Sequence, residues 1–315
     1  MSSGRTVLCI VGPTASGKTS LSVALAKRLH GEIVSADAVA VYKGLDIGSA
    51  KPTEAEREGV RHYMIDCADI KDNSFTVSVF RKKAREAIDS ILLRGVLPIV
   101  VGGSGLYLDA IFSDMAFSAP SDPAIRLAIE TDYDRDKNAV YSRLQRVDPI
   151  TAARLHPNDQ KRIVRALEVF EITNTPFSEL NRSFQSAQAG DGEYRTVRIG
   201  LRMDRAHLYE RIEQRVDRMI ENGLPAEAYA LFEQGLTPDR YTAMQAIGYA
   251  QLYEAYCGHC SVEDAVEEIK KATRHFAKRQ MTWFRRNAET LWFDAEHTSV
   301  EDILNEITEN LYEDR

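Results

Sequence analysis

The run Gly12-Pro13-Thr14-Ala15-Ser16-Gly17-Lys18-Thr19 constrains this chain more than any other segment. It fits the pattern Gly, four residues, Gly-Lys-Ser/Thr without a mismatch. The pattern works in one setting, with a strand before it and a helix after it. Backbone N–H groups and the positive end of the helix then cradle phosphate oxygens. Thr6–Val11 is a short β-branched apolar run, and Ser20–Leu29 reads as a helix, so the setting is present. Lys18 supplies a mobile positive charge and Thr19 a hydroxyl suited to Mg2+. Residues 12–19 are therefore expected to hold a di- or triphosphate. A chance glycine-rich turn is the bland alternative, and it leaves the flanking strand and helix unexplained.

The P-loop also sets the architecture. Glu32–Ser35 and Leu97–Val101 read as further apolar strands, with an amphipathic helix at Ser78–Leu93 between them. Continuous apolar strands alternating with helices predict an α/β fold, a P-loop NTPase-like parallel sheet flanked by helices. From about Asp114 to Gly190 the chain reads as helices and loops, broken at Ala119–Pro123 and by the polar stretch Ser183–Gly192. This predicts a helical insertion over 114–192, with 1–113 and 193–315 forming the core. Tyr194–Leu201 is expected to return to the sheet. Helices are expected at Ala206–Asn222, Pro225–Gln234, Met244–Tyr256, Val262–Arg286 and Val300–Tyr312, and a late strand at Leu291–Asp294.

Composition narrows the setting. A length of 315 residues with 44% hydrophobic and 28% charged residues is that of a folded globular chain. The net charge of −7 means that any nucleic-acid surface must be a local cluster of basic residues. Cys9, Cys67, Cys257 and Cys260 form no disulfide framework in so long a chain, which points to a reducing compartment. The start lacks a signal-peptide pattern. No apolar run approaches the roughly 18–20 residues of a membrane helix. A cytoplasmic protein without membrane contact is expected.

A P-loop alone names no reaction. A GTPase would carry an Asn/Thr-Lys-x-Asp run, which is absent; a kinase or another diphosphate-using transferase stays open. The segment Ser35-Ala36-Asp37-Ala38-Val39-Ala40-Val41-Tyr42-Lys43-Gly44-Leu45-Asp46-Ile47-Gly48-Ser49-Ala50-Lys51-Pro52 adds information, as does VGGSGLYL at 101–108. Further blocks are HPNDQKRIVRALEV at 156–169, RIEQRVDRMIENGL at 211–224 and KRQMTWFRR at 278–286. Together with the P-loop, in this order, they resemble the tRNA dimethylallyltransferase (isopentenylpyrophosphate transferase) family nearly end to end. The resemblance implies transfer of a dimethylallyl group from dimethylallyl diphosphate to N6 of the adenosine 3′ to the anticodon. It also implies Mg2+ as cofactor, a nucleotide- or ATP-type phosphate site and an RNA partner. A monomer is expected.

The same resemblance assigns roles by position. Asp37, at the carboxyl end of a parallel strand, matches the general base. The chemistry needs one, because an exocyclic adenine amine is a poor nucleophile that must lose a proton as the C–N bond forms. A helix cap or a metal-linked carboxylate is the competing reading of Asp37. Lys18, Thr19, Ser104 and Arg211 match groups that stabilise the leaving diphosphate. Ser104 stands where the family often has Thr, and Arg211 reads alternatively as a solvated helix arginine. For tRNA contact the resemblance points to Asp37, Ala38, Val39, Ala40, Ser104, Arg126, Lys161, Arg162, Arg165, Gln245, Gly248, Tyr249, Lys278, Arg279, Gln280, Trp283 and Arg285. Where the family usually has Ser and Gln, this chain has Ala38 and Ala40. Backbone groups are expected to serve in their place, and an altered RNA preference is a further expectation.

Two clusters suit RNA. Lys161, Arg162 and Arg165 share a helix whose buried stripe is expected at Ile163, Leu167 and Phe170. Lys278, Arg279, Arg285 and Arg286 surround Trp283 and Phe284, as for backbone neutralisation with base stacking. A solvated charged face is the bland reading of each. Cys257-Gly258-His259-Cys260 reads as a helix-end loop, since a zinc site would want a second ligand pair. Three other classes remain: a P-loop kinase, a non-catalytic RNA adaptor, and an enzyme prenylating free nucleotides. The basic clusters favour the tRNA enzyme over the last.

Overall fold

The computed structural model describes residues 5–112, 121–180 and 193–312. The chain divides into two compact units, Met1–Phe112 with Glu193–Arg315, and Ser113–Gly192. The larger unit is built on six strands: β1 (Thr6–Val11), β2 (Gly31–Ser35), β3 (His62–Tyr63), β4 (Leu97–Gly102), β5 (Arg195–Arg202) and β6 (Leu291–Asp294). Their order is β3-β2-β4-β1-β5-β6, and every pair is parallel. Val11 lies opposite Gly102 and Ser35 opposite Val101, so β1, β2 and β4 end at one level.

Alternation explains why the central strands are apolar throughout. Val7, Cys9, Val11, Val34 and Val100 face one side, where they meet Phe80, Ala84, Ile88 and Ile91 of the helix Val77–Leu93. That spacing puts all four on one helix stripe. Leu8, Ile10, Ile33, Ile99 and Ile199 face the other side. There they pack on the P-loop helix Lys18–Leu29 and the closing helix Val300–Tyr312.

Two points differ from the sequence reading. The two-residue β3 was not expected. Met244–Tyr256 is not one helix: a 3-10 turn at Thr242–Gln245 is followed by a helix at Tyr249–Tyr256. Gly248 between them takes φ +103, which a helix cannot continue through. The break expected at Ala119–Pro123 is described only from Ser121, and the stretch Ser183–Gly192 lies outside the described residues.

The smaller unit has helices at Pro123–Arg135, Lys137–Val147 and Gln160–Thr173. Asp122, Asp136 and Asp148 each accept hydrogen bonds from first-turn N–H groups, which starts a helix cleanly at each aspartate. Ile129, Tyr133, Leu144, Ile163 and Leu167 form its core. Phe170 is only half-buried, so the expected stripe is shifted: Glu168, not Phe170, is fully buried. Its carboxylate accepts from Arg126 (2.9 Å), Arg165 (2.7 Å), Ser121 Oγ (2.9 Å) and the N–H of Asp122 (3.1 Å).

Burial works against the Glu168 charge, but the bonds from Arg126, Arg165 and Ser121 outweigh it and hold the carboxyl below its usual range. The stability it supplies is present above the ordinary carboxylate range and fades as pH falls through the lowered value. Glu168→Ala is expected to cost about 2–3 kcal/mol. This is below the cost of breaking a fully buried pair, because both arginines are partly in water. Hydrogen exchange of the Ile163–Val169 amides should report the loss at pH 7, and a difference that shrinks as the pH is lowered through the carboxyl's depressed value.

Candidate active site

Each of the three strands that end at one level feeds a loop carrying a different chemical part. After β1 comes the P-loop, where Gly17 at φ +90 opens the helix Lys18–Leu29. Lys18 Nζ donates to the carbonyl of Pro13 at 2.6 Å, folded back over the loop it serves. Ser16 is 1% exposed, and its Oγ has no hydrogen-bond partner among the described residues. Such an orphan fits a loop built to receive a ligand's oxygens.

After β2 comes Asp37. Its Oδ1 accepts from the N–H groups of Val39 (2.8 Å) and Ala40 (3.0 Å), which fixes the side chain. Oδ2 takes no hydrogen bond from the described residues. After β4 comes Ser104, whose Oγ accepts from the N–H of Ala38 at 3.0 Å. That bond leaves the hydroxyl proton to donate elsewhere. It also bears on Ala38 and Ala40. The backbone N–H groups of Ala38, Val39 and Ala40 are used by Ser104 and Asp37, which leaves the carbonyls as the backbone groups that could stand in for the missing side chains.

A residue far away in sequence joins two of these loops. Gln280, 5% exposed, lies on the long helix Val262–Phe284. Its Oε1 accepts from the N–H of Thr14 at 2.8 Å, and its Nε2 donates to the carbonyl of Gly103 at 2.9 Å. Only glycine admits this approach, because a Cβ on residue 103 would lie 2.2 Å from Nε2. Gln280 thus holds the two loops together while also lining the cavity of Asp37.

The helix Arg205–Glu221 completes the charge. Arg211, Arg215 and Arg218 line one cavity of about 700 Å³ with Ala15–Ser20 of the P-loop. Arg211 Nη2 lies 3.9 Å from where a Cβ on Gly17 would stand, and the arginine has no ion pair among the described residues. It therefore faces the P-loop and does not belong to a solvated helix pair. Arg215 was not singled out from sequence, although its spacing from Arg211 and Arg218 puts all three on one helix face. Burial lowers its pKa, and the charge of Asp37 opposes that shift.

A second cavity, of about 440 Å³, holds Asp37, Ser104, Gln280 and Arg279. Val39, Met219, Leu224, Ile269 and Phe276 make much of its wall apolar. Lys18, Thr19, Ala50, Pro52, Arg215 and Met219 line both cavities, so the two meet at the P-loop lysine. Burial pushes the Lys18 ammonium down to about 7, with the charge of Arg215 adding to the shift and Asp37 opposing it.

Residues 40–287 match the family model described as IPP transferase. The chain belongs to the IPP transferase family. It is similar to the tRNA dimethylallyltransferase of Pelotomaculum thermopropionicum, 43% identical over 96% of this chain and 95% of that relative. It is also similar to the enzyme of the same name from Geobacillus kaustophilus, 46% identical over 91% and 90% of the two chains. Among solved structures, the tRNA isopentenylpyrophosphate transferase of Bacillus halodurans superposes with a TM-score of 0.73 at 39% identity, covering 98% of each chain. A eukaryotic dimethylallyltransferase acting on tRNA gives 0.80 at 27% identity, covering 98% of this chain and 80% of that one.

The other residues that the family resemblance singled out fall into three groups. Gln245 and Gly248 line the Asp37 cavity, and Lys278, Arg279 and Arg285 are exposed on or just after the long helix. Tyr249 is fully buried with its hydroxyl on Glu227 at 2.6 Å, so its side chain does not reach RNA. Trp283 donates its indole N–H to Asp109 at 2.9 Å and packs against Gly105, which makes it a support for the Ser104 turn and not a free stacking surface. In the smaller unit Lys161 and Arg162 are exposed, Arg162 paired with Asp159 at 3.0 Å, while Arg126 and Arg165 share Glu168.

Two outcomes follow from this geometry. Gln280→Met keeps the volume but strands the N–H of Thr14 and the carbonyl of Gly103. It is expected to weaken inorganic pyrophosphate binding about tenfold by calorimetry, with a fall of a few degrees (~2–6 °C) in melting temperature. The depressed Lys18 also links binding to protons. At pH 8 the free lysine is largely neutral, and an arriving diphosphate should draw a proton onto it. Calorimetry with a prenyl diphosphate in buffers of different ionisation enthalpy should show more proton uptake at pH 8 than at pH 6. In Lys18→Arg, which stays charged, that extra uptake should vanish.

Proposed function

We propose that the chain transfers a dimethylallyl group from dimethylallyl diphosphate to N6 of the adenosine 3′-adjacent to the anticodon in tRNA, releasing diphosphate. The observation that carries this reading is the sharing of one cavity by Lys18, Asp37 and Ser104, with apolar side chains on its remaining wall. The reaction needs those three surfaces together: cations for the leaving group, a carboxylate for the amine, and a dry wall for the prenyl carbons.

The steps follow from charge. The N6 lone pair forms a bond to the allylic carbon as the carbon–oxygen bond breaks, and that electron pair leaves with diphosphate. Negative charge gathers on the phosphates, where P-loop N–H groups, Lys18, Arg211 and Arg215 lie preorganised to receive it. The N6 proton passes to Oδ2 of Asp37, whose other oxygen is held by Val39 and Ala40. The Ser104 hydroxyl, anchored on the Ala38 N–H, is placed to donate to the diphosphate or to the adenine.

Mg2+ fits the donor set as an ion carried in on the diphosphate. Thr19 offers an exposed hydroxyl at the P-loop, and no cluster of three acidic, His or Cys side chains exists among the described residues to cage an ion alone. When bound there, it neutralises phosphate charge.

An adenosine stacked in an anticodon loop must be swung out to reach a cavity of this kind. RNA contact is assigned to the exposed basic residues of each unit: Lys278, Arg279 and Arg285 in the larger, Lys161 and Arg162 in the smaller, with Arg126 and Arg165 presented on Glu168. No helix among the described residues is long and apolar enough to cross a membrane, and a tRNA substrate fits a cytoplasmic monomer.

Mass spectrometry of an anticodon stem-loop RNA, incubated with the protein, Mg2+ and dimethylallyl diphosphate, tests the reading. The RNA is expected to gain one C5H8 unit on the adenosine 3′ to the anticodon. Bound but unmodified RNA would favour an adaptor, and modification of free adenosine monophosphate in its place would favour a free-nucleotide enzyme.

A further inference from the structure

The two cavities that meet at Lys18 are divided by the segment Asp46–Pro52. Gly48, Ser49, Ala50 and Pro52 face the Asp37 cavity, and Asp46, Ile47, Ala50, Lys51 and Pro52 face the arginine cavity. A donor with its diphosphate among the arginines and its allylic carbon near Asp37 must lie along this partition.

Neither strand nor helix forms the partition, so something else must hold it. One end is tied by Lys51, whose side chain is 6% exposed. Its ammonium donates to the carbonyl of Tyr42 at 2.6 Å and to Asp46 and Asp66 at 2.7 and 2.5 Å. The crest is tied by Glu227, from the helix Leu224–Glu233. Its carboxylate accepts from three successive backbone N–H groups: Asp46 at 3.2 Å, Ile47 at 3.0 Å and Gly48 at 3.3 Å. The buried Tyr249 donates its hydroxyl to the same carboxylate at 2.6 Å. Its ring lies so close to Gly48 that a Cβ there would stand 2.6 Å away.

We infer that Glu227 is a positioning residue for the prenyl diphosphate: its carboxylate, backed by Tyr249, sets the place of the Asp46–Pro52 partition and through it the grip on the donor. This rests on the transferase reading. Three converging N–H groups need an acceptor with negative charge, and an amide in its place presents its own N–H2 to one of them. The partition would then settle further from the donor. The residues that hold RNA and the proton-accepting oxygen of Asp37 lie on other segments and stay where they are.

The test measures Glu227→Gln and Tyr249→Phe in the full chain, by steady-state transfer to the stem-loop RNA and by calorimetry of a prenyl diphosphate without RNA. Glu227→Gln is expected to raise the donor KM and the calorimetric Kd about tenfold, with kcat and the RNA KM within about twofold. Tyr249→Phe keeps the ring and all three N–H bonds, and should move the same two constants about threefold. Unchanged donor affinity in a folded Glu227→Gln protein overturns the inference, as does an equal loss in every constant with a lowered melting temperature. A wild type that binds the donor but never modifies RNA overturns the transferase reading, while the calorimetry still decides the role of Glu227.

Discussion

Parallel pairing of β1, β2 and β4 is the constraint on which the site depends. Those pairings bring Val11, Ser35 and Gly102 to one edge of the sheet, and the P-loop, Asp37 and Ser104 grow from the next few residues. A register slip would turn each strand's side chains to the wrong face. Both faces of β1 are apolar, so the cost of such a slip comes from close packing against different helices on the two sides. The energy that fixes the chemistry is thus mostly hydrophobic burial beneath the site, and the site itself carries groups that burial alone would not favour.

Polar links then correct what packing cannot set. Gln280 joins the P-loop to the β4 loop, Ser104 joins the β4 loop to the segment after β2, and Asp37 fastens that segment to itself. Gln280 spends both ends of its amide on these contacts, whereas Asp37 and Ser104 each use one atom and keep another, Oδ2 and the hydroxyl proton, outside the links. Placing Lys18 near Arg215 in a half-buried setting is unfavourable without a ligand. An arriving diphosphate relieves it, which converts stored repulsion into affinity.

Much of this was legible in the sequence, for identifiable reasons. The central strands are continuous apolar runs, the P-loop is a local motif, and Asp37 follows directly from β2. Elements of the fold failed where the signal was too short, as with β3, or where one glycine overrode a helical pattern, as at Gly248. The site failed where partners are distant: Gln280 and Thr14 are 266 residues apart, and nothing local marks the contact. In sequence the basic cluster at 161–165 reads as an RNA-facing or solvated face, with no place for Glu168. Only the packed helices show that Glu168 is buried and that Arg126 shares it. From sequence Tyr249 is an expected RNA contact and Trp283 an expected stacking surface, but their polar atoms are committed to Glu227 and Asp109.

The central claim is that a single carboxylate, held by its own backbone, accepts the proton of the attacking amine. The single-turnover rate of Asp37→Asn, with donor and RNA both saturating, tests it most directly. The asparagine keeps the shape and can still accept from Val39 and Ala40, but it cannot take the proton. A rate lower by about 100-fold or more is expected, with both substrate affinities within about threefold of wild type. A rate close to wild type, or a loss confined to RNA binding, would contradict it.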